Sequence, residues 1–375
     1  MQNETLPEIG STITIEKSTM NEILLRLKQN GFLTIGPRIE NETLIYGAIE
    51  NLEDLPRGYT TEQKPGYFRL FRDRHSRYFD IIPGAQSWKQ FLFPSCVELF
   101  SLRRITNSWE FAPRAVETPK FAFIGVRACE LAAIQIQDAI FMREDFTDPI
   151  YQARRAHTFI ISVNCTHPAD TCFCLSMECG PQVRQGFDLN ISELDNVFAL
   201  TIGSELGRKL MAGLSFDDAS GYVLASVDQK IGNARRQMKR NLNTQDLPEL
   251  ILENLDHPYW NEIGKRCLSC TNCTQVCPTC FCWNVTDESS LDGKSTCRER
   301  VWDSCFNPDY SYQAGGNTRP TIYSRYRQWA SHKLGTWKQQ FGTLGCTGCG
   351  RCITWCPAEI DITEEINNLG NEVKR

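Results

Sequence analysis

Eight cysteines fall into two runs of one spacing: Cys267, Cys270, Cys273 and Cys277 before Pro278, and Cys346, Cys349, Cys352 and Cys356 before Pro357. Each run reads C-x2-C-x2-C-x3-C-P, in which three thiolates hold one [4Fe-4S] cluster and the fourth reaches across to a second. Thiolates two residues apart let a tight loop wrap one face of a cubane with its amide N–H groups aimed at the sulfides. Pro278 and Pro357 cannot donate a hydrogen bond and have a fixed φ, so the chain turns away once the fourth sulfur is placed. The rule assigns Cys267, Cys270, Cys273 and Cys356 to one cluster, and Cys346, Cys349, Cys352 and Cys277 to the other. Neither run is complete without its partner. Zinc favours separated knuckles or mixed Cys/His ligation, and disulfides at this spacing would be strained or leave most thiols unexplained.

Cys129, Cys165, Cys172 and Cys174 form a second group. The apolar run Phe121–Arg127 reads as a strand and residues 128–141 as a helix opening at Cys129, while 157–163 reads as a second strand ending at Asn164-Cys165. Two cysteines therefore stand at the ends of candidate parallel strands, where open α/β sheets place their ligands. The group reads either as ligands of a third iron-sulfur cluster or as buried or redox-active thiols. A helix N-terminus is expected to lower the Cys129 pKa and favour the thiolate. Cys179 and His167 are candidate substitutes in the ligand set, although a lone exposed histidine is more often a surface residue.

The elements that must position these residues divide the chain in two. We expect an α/β N-terminal domain over residues 1–245, including the possible third site, and an α-rich dicluster ferredoxin-like domain over 246–375. The boundary follows from the polar stretch 241–249 broken by Pro248. In the first part a capped amphipathic helix is predicted over 18–30, with short strands at 43–49 and 66–71. Residues 88–93 read as core and Cys96 as a small buried residue. Further on come a strand at 196–202, a helix at 205–214, a strand at 221–227 and a basic helix through Leu242. Residues 278–345 form a long insertion between the cysteine runs, with a helix at 323–341 whose aromatic stripe is core or a partner interface. Cys280, Cys282, Cys297 and Cys305 lie in it and could be four more ligands, but the dicluster is complete without them, so they read as structural thiols. Gly345, Gly348 and Gly350 would let backbone approach the second cluster.

Composition excludes several classes. A hydrophobic content of 41% supports packed cores, and a net charge of -5 argues against a nucleic-acid footprint. Eighteen cysteines without a basic and apolar leader in the first ten residues indicate a reducing, cytoplasmic setting where thiols serve metals. No uncharged apolar run could span a bilayer. Neither a G-x-G-x-x-G nor a P-loop is present. A flavin, hydride donor or catalytic metal would belong to another chain. Lys265, Arg266 and Arg351 flank the ligands and are expected to raise cluster potentials by stabilising the reduced state.

Motifs outside the dicluster sharpen the reading: Gly125-Val-Arg127-Ala-Cys129-Glu-Leu131, Cys172-Phe-Cys174, Cys277-Pro-Thr-Cys-Phe-Cys282, Trp302-Asp-Ser-Cys305 and Ser324-Arg-Tyr-Arg-Gln-Trp329. With the two cysteine runs they resemble the beta subunit of sulfhydrogenase-type (group 3b) [NiFe]-hydrogenases, together with the corresponding 4Fe-4S dicluster subunit of anaerobic sulfite reductase. Ala128-Cys129-Glu130 departs from the Pro-Cys-Asp usual in that family. The resemblance implies a non-catalytic electron-transfer subunit with two [4Fe-4S] clusters. It would relay single electrons between an NAD(P)H-linked flavoprotein and the catalytic subunit of a hydrogenase or sulfite reductase. Two other readings stay open: a catalytic iron-sulfur reductase with its own substrate site between Cys129 and Cys179, and an iron-sulfur redox sensor.

Overall fold

The computed structural model describes residues 6–74 and 76–374. The reading of the first ten residues as free of a leader falls partly on residues 1–5, outside the described residues.

Phe121–Arg127 is buried along its whole length, as its unbroken apolar sequence requires of a central parallel strand. It pairs in parallel with Leu33–Glu40 on one side and Thr158–Val163 on the other, and Thr158–Val163 pairs in parallel with Leu189–Glu193. Antiparallel strands complete an eight-stranded sheet: Thr43–Ala48 at one edge, and Val197–Ile202, Thr12–Glu16 and Asp217–Asp218 towards the other. Alternation along the central strand splits the core into two layers. Ala122 and Ile124 pack with Met20, Ile23, Leu24 and Leu27 of helix Thr19–Gln29. Phe121 and Phe123 pack with Leu131 and Ile134 of helix Ala128–Phe141 and with Trp88 and Phe93.

Residues 221–227 are helical, not extended. Ser220 accepts from the Val223 N–H, capping one helix over Gly221–Gln237. The Tyr-Val-Leu-Ala-Ser-Val run has strand-like residue types, but the cap starts the helix and only Ile231 and Ala234 are buried. Cys96 is exposed rather than buried, because it begins strand Cys96–Ile105 of a second, half-exposed sheet.

That sheet pairs Cys96–Ile105 with Ser108–Pro113 and, across a large sequence separation, with Ser295–Trp302, which pairs in turn with Trp283–Ser289. The insertion between the cysteine runs thus holds a β-hairpin before it becomes helical. Its helix runs Ile322–Ser331, widens into a π-turn over His332–Thr336, and ends with Trp337–Phe341. Tyr326, Trp329, Leu334 and Trp337 are buried, so these members of the aromatic stripe are core. The C-terminal region forms a helical core of its own around Trp260, Ile263, Tyr326, Trp329, Ile353 and Ile366, joined by Phe173, Met177 and Leu242. Among the described residues no helix is long and apolar enough to cross a membrane.

Candidate functional site

The two cysteine runs fold as matching loops. Each places a residue with positive φ before its second cysteine and another after it: Ser269 (53°) and Thr271 (69°) in the first run, Gly348 (67°) and Gly350 (76°) in the second. A four-residue helix follows in each, Asn272–Gln275 and Arg351–Thr354. The left-handed turns aim amide groups at sulfur. Ser269 N–H donates to Cys267 Sγ, Gly348 N–H to Cys346 Sγ and Ile360 N–H to Cys356 Sγ, each at 3.4 Å.

The thiols of the two runs gather in neighbouring groups. Cys267, Cys270, Cys273 and Cys356 line one largely apolar cavity with Phe306, Tyr326 and Ile360, and Cys352 of the second run reaches it as well. Burial pushes Cys273 well above the usual thiol range, helped by the neighbouring Cys267, Cys356 and Cys270. In the second set burial pushes Cys346 up to about 12, with Cys349 and Cys277 adding to it and Lys333 opposing. Cys352 is raised by burial and then by Cys346, Cys349 and Cys277. Thiols crowded together and raised by desolvation bind metal with proton release. Among the described residues no three Cys, His, Asp or Glu side chains close to the spacing of a single metal ion. A cubane takes its thiolates at separate corners, and a set of four soft donors with N–H groups on sulfur fits such a group.

Cys129, Cys165, Cys172 and Cys174 come together at the carboxyl ends of Phe121–Arg127 and Thr158–Val163. Cys129 is pushed up by burial, then by Cys174 and Cys349, and Cys172 to about 12 by burial and Cys165. Burial therefore outweighs the helix N-terminus expected to lower Cys129. Cys179 lies at the edge of the group, its N–H donating to the Cys174 carbonyl at 2.9 Å, while His167 is exposed. Arg127 Nη1 donates to Cys165 Sγ at 3.7 Å.

The three sets are strung in order. Cys349 neighbours Cys129, Cys172 and Cys174 on one side, and Cys352 of the same set neighbours Cys273 on the other. Glycines let the first two backbones meet. A Cβ at Gly348 would lie 2.6 Å from Cys174 N, and one at Gly350 would lie 2.4 Å from Thr171 O. Their close approach is thus to the segment 171–174, and Gly345 packs on the Trp337 ring instead.

The three flanking cations singled out from sequence are all paired: Lys265 with Glu262, Arg266 with Glu365 and Arg351 with Glu130, each at 2.6 Å. Arg351 nonetheless still acts on nearby thiols, lowering Cys172 and being raised by Cys349 and Cys129. Sequence reasoning missed Lys89 and Lys333, both buried against Cys277 and Cys280. It also missed that Cys282 and Cys305 are hydrogen-bond partners beside Tyr310. Lysines at unremarkable spacing carry no sequence pattern, and the Cys282–Cys305 approach depends on the hairpin register.

Residues 266–360 match the 4Fe-4S dicluster domain family. The beta subunit of sulfhydrogenase 2 from Pyrococcus furiosus is 32% identical over 254 residues, which are 67% of this chain and 74% of that protein. No solved structure matches.

Proposed function

Because the chain belongs to the sulfhydrogenase beta-subunit family, we propose that it is the iron-sulfur electron-transfer subunit of a multi-subunit oxidoreductase. Its electrons pass singly between an NAD(P)H-linked flavoprotein and a catalytic subunit of hydrogenase or sulfite reductase type. The observation that carries the reading is the string of three thiol sets meeting at Cys349 and at Cys352–Cys273. Cys267, Cys270, Cys273 and Cys356 would hold one [4Fe-4S] cluster, and Cys346, Cys349, Cys352 and Cys277 the other. Cys129, Cys165, Cys172 and Cys174 would hold a third.

When bound, such clusters supply one-electron chemistry, their potentials tuned by hydrogen bonds to sulfur, net charge and exposure. The chain supplies the rest. Phe306, Tyr326 and Ile360 exclude water from the first set. The N–H groups of Ser269, Gly348 and Ile360 stabilise charge on sulfur. Cys270 is exposed, so the first set opens to the surface where a partner can exchange electrons.

Two folding units, 1–245 and 246–375, are supported by a sheet core and a helical core, tied together by Phe173, Met177 and Leu242 in the helical core and by the strand pairing of Cys96–Ile105 with Ser295–Trp302. A cytoplasmic setting is supported by eighteen cysteines that are all free thiols. A second reading, a reductase with its own substrate site, is favoured by an open groove beside the third set, at Cys179. Ala128, Glu178, Cys179, Gln182 and Arg184 line it.

Iron and acid-labile sulfide per chain, measured on anaerobically purified protein with low-temperature EPR during reductive titration, test the cluster reading. About twelve irons are expected, whereas about eight would return the N-terminal cysteines to structure. Zinc without sulfide would sink electron transfer altogether. An anaerobic pulldown lacking a flavoprotein would sink the relay, and turnover by the isolated chain with an artificial donor would favour the reductase.

A further inference from the structure

Four buried cations beside the cysteine sets form no ion pair with a carboxylate among the described residues. At the first set, Arg325 donates from Nη1 to the carbonyls of Arg319 and Pro320, both at 3.1 Å. Its Nε reaches Ser269 Oγ at 3.4 Å, the residue whose N–H bonds Cys267 Sγ. At the N-terminal set, Arg127 bonds Cys165 Sγ and the carbonyls of Phe79 and Ile81. The middle set has two. Lys333 donates to Thr279 Oγ1 at 2.7 Å and to the Gly345 carbonyl at 3.1 Å, with Cys277, Cys280 and Cys346 as its neighbouring thiols. Lys89 lies 3.8 Å from the centroid of the Trp302 ring and donates to the carbonyls of Cys280 and Gln275.

Burying a cation is costly unless an opposite charge offsets it. Carbonyl and hydroxyl dipoles solvate these four only in part, and the neighbouring carboxylates are committed elsewhere: Glu130 to Arg351, and Glu365 to Arg266. The remaining acceptors of charge are thiolates, those of the sets and, beside Lys89 and Lys333, that of Cys282. Lys89 and Lys333 sit 4% and 5% exposed, so water does not stand in for the missing anion.

We propose that Arg325, Arg127 and the pair Lys89 and Lys333 are the charge-compensating positioning residues of the three sets. The doubled cation makes the middle set, Cys277, Cys346, Cys349 and Cys352, the most readily reduced. This rests on the reading of the sets as [4Fe-4S] sites. Reduction adds one negative charge within a low-dielectric interior, where a fixed cation a few ångströms away favours it far more than the same charge at the surface. Placed between the other two, the middle set is then where a reducing electron rests. The cations singled out by sequence position each carry a carboxylate partner, which offsets part of their charge.

The test is a reductive titration of the anaerobically purified full-length protein, followed by EPR, on wild type, Lys333→Met, Lys89→Met and Lys333→Arg, with Cys277→Ala identifying the middle set's signal. In Lys333→Met that signal is expected to shift to more negative potential. Lys89→Met shifts it the same way, Lys333→Arg restores it, and the other signals stay in place with iron and sulfide unchanged. No shift, an equal shift of all signals, or a wild type whose most readily reduced centre is another set would overturn the proposal. Should Lys333→Met lose iron, Lys89→Met and Lys333→Arg decide it. A wild type with fewer than about eight irons would instead overturn the cluster reading itself.

Discussion

Arg351 and Glu130 form an ion pair in the interior, Nη2 to Oε1 at 2.6 Å, with side chains 3% and 1% exposed. It joins the helix that follows Cys349 to the helix that carries Cys129. Glu130 also accepts from Tyr46 Oη at 2.9 Å and Trp88 Nε1 at 3.1 Å, while Arg351 donates to the carbonyls of Gly84 and Gln86. The network holds the two cysteine sets in register, and its charges also act on Cys129 and Cys172.

Removing one partner leaves the other as an uncompensated buried charge, which costs about 3–5 kcal/mol. Arg351→Met is therefore expected to lower the denaturation midpoint of the anaerobic protein strongly. Pairing it with Glu130→Gln should recover part of that loss. Equal stability of wild type and the single variant in urea titration would show that the pair does not fasten the two segments.

Gly350 and Gly342 share left-handed backbone, at φ 76° and 72°, but differ in surroundings. A Cβ at Gly342 meets open space, whereas one at Gly350 meets the Thr171 carbonyl at 2.4 Å. Gly342→Ala should cost about 1–2 kcal/mol, from the backbone conformation alone. Gly350→Ala should cost about 1–3 kcal/mol more for overpacking against backbone. Thermal denaturation of the two variants side by side checks the difference, and equal melting points would refute it.

The central strand, the helix after it and the parallel strand beyond were readable because each is encoded locally, by a continuous apolar run and by strand-ending cysteines. The dicluster domain was readable because its cysteine spacing is itself the chemistry. Other features depend on partners distant in sequence. The pairing of Cys96–Ile105 with Ser295–Trp302 leaves no mark on either segment alone, and it is what exposes Cys96. The neutralisation of Arg351 depends on Glu130, more than two hundred residues away. At 221–227, apolar and β-branched residues suggested a strand where a single serine cap decided for helix.

Cys282 is set apart from the other insertion thiols. The hydrogen bond with Cys305, then those with Tyr310 and the backbone, pull its thiol down to about 6 against the opposing effect of burial, whereas Cys96 and Cys297 are raised. A depressed pKa means the thiolate prevails above about pH 6 in the folded protein and only above its ordinary value once unfolded. Iodoacetamide at pH 7 should therefore modify Cys282 faster than Cys96 despite the greater exposure of Cys96. Cys305→Ser should move the onset of Cys282 labelling to higher pH. Peptide mapping of labelled protein across pH 5–9 is the check, and an unmoved onset in that variant would remove Cys305 as the cause.

The crossed ligation makes the sharpest prediction, because it sets sequence proximity against spatial grouping. Cys356 belongs to the second run but lines the cavity of Cys267, Cys270 and Cys273, as Cys352 does, and it is Cys356 that stands among the thiols nearest the buried Cys273. Cys277 belongs to the first run but lies with Cys346, Cys352 and Lys333. Cys356→Ala should thus abolish the same EPR signal as Cys267→Ala, and Cys277→Ala the same signal as Cys346→Ala, each with the loss of about four irons per chain. The two phenotypes must also be separable, since each set has its own N–H donors, Ser269 and Ile360 in the first and Gly348 in the second. If Cys277→Ala instead matched Cys273→Ala, each run would hold its own cluster, and the contact between Cys352 and Cys273 would no longer mark the passage from one centre to the next.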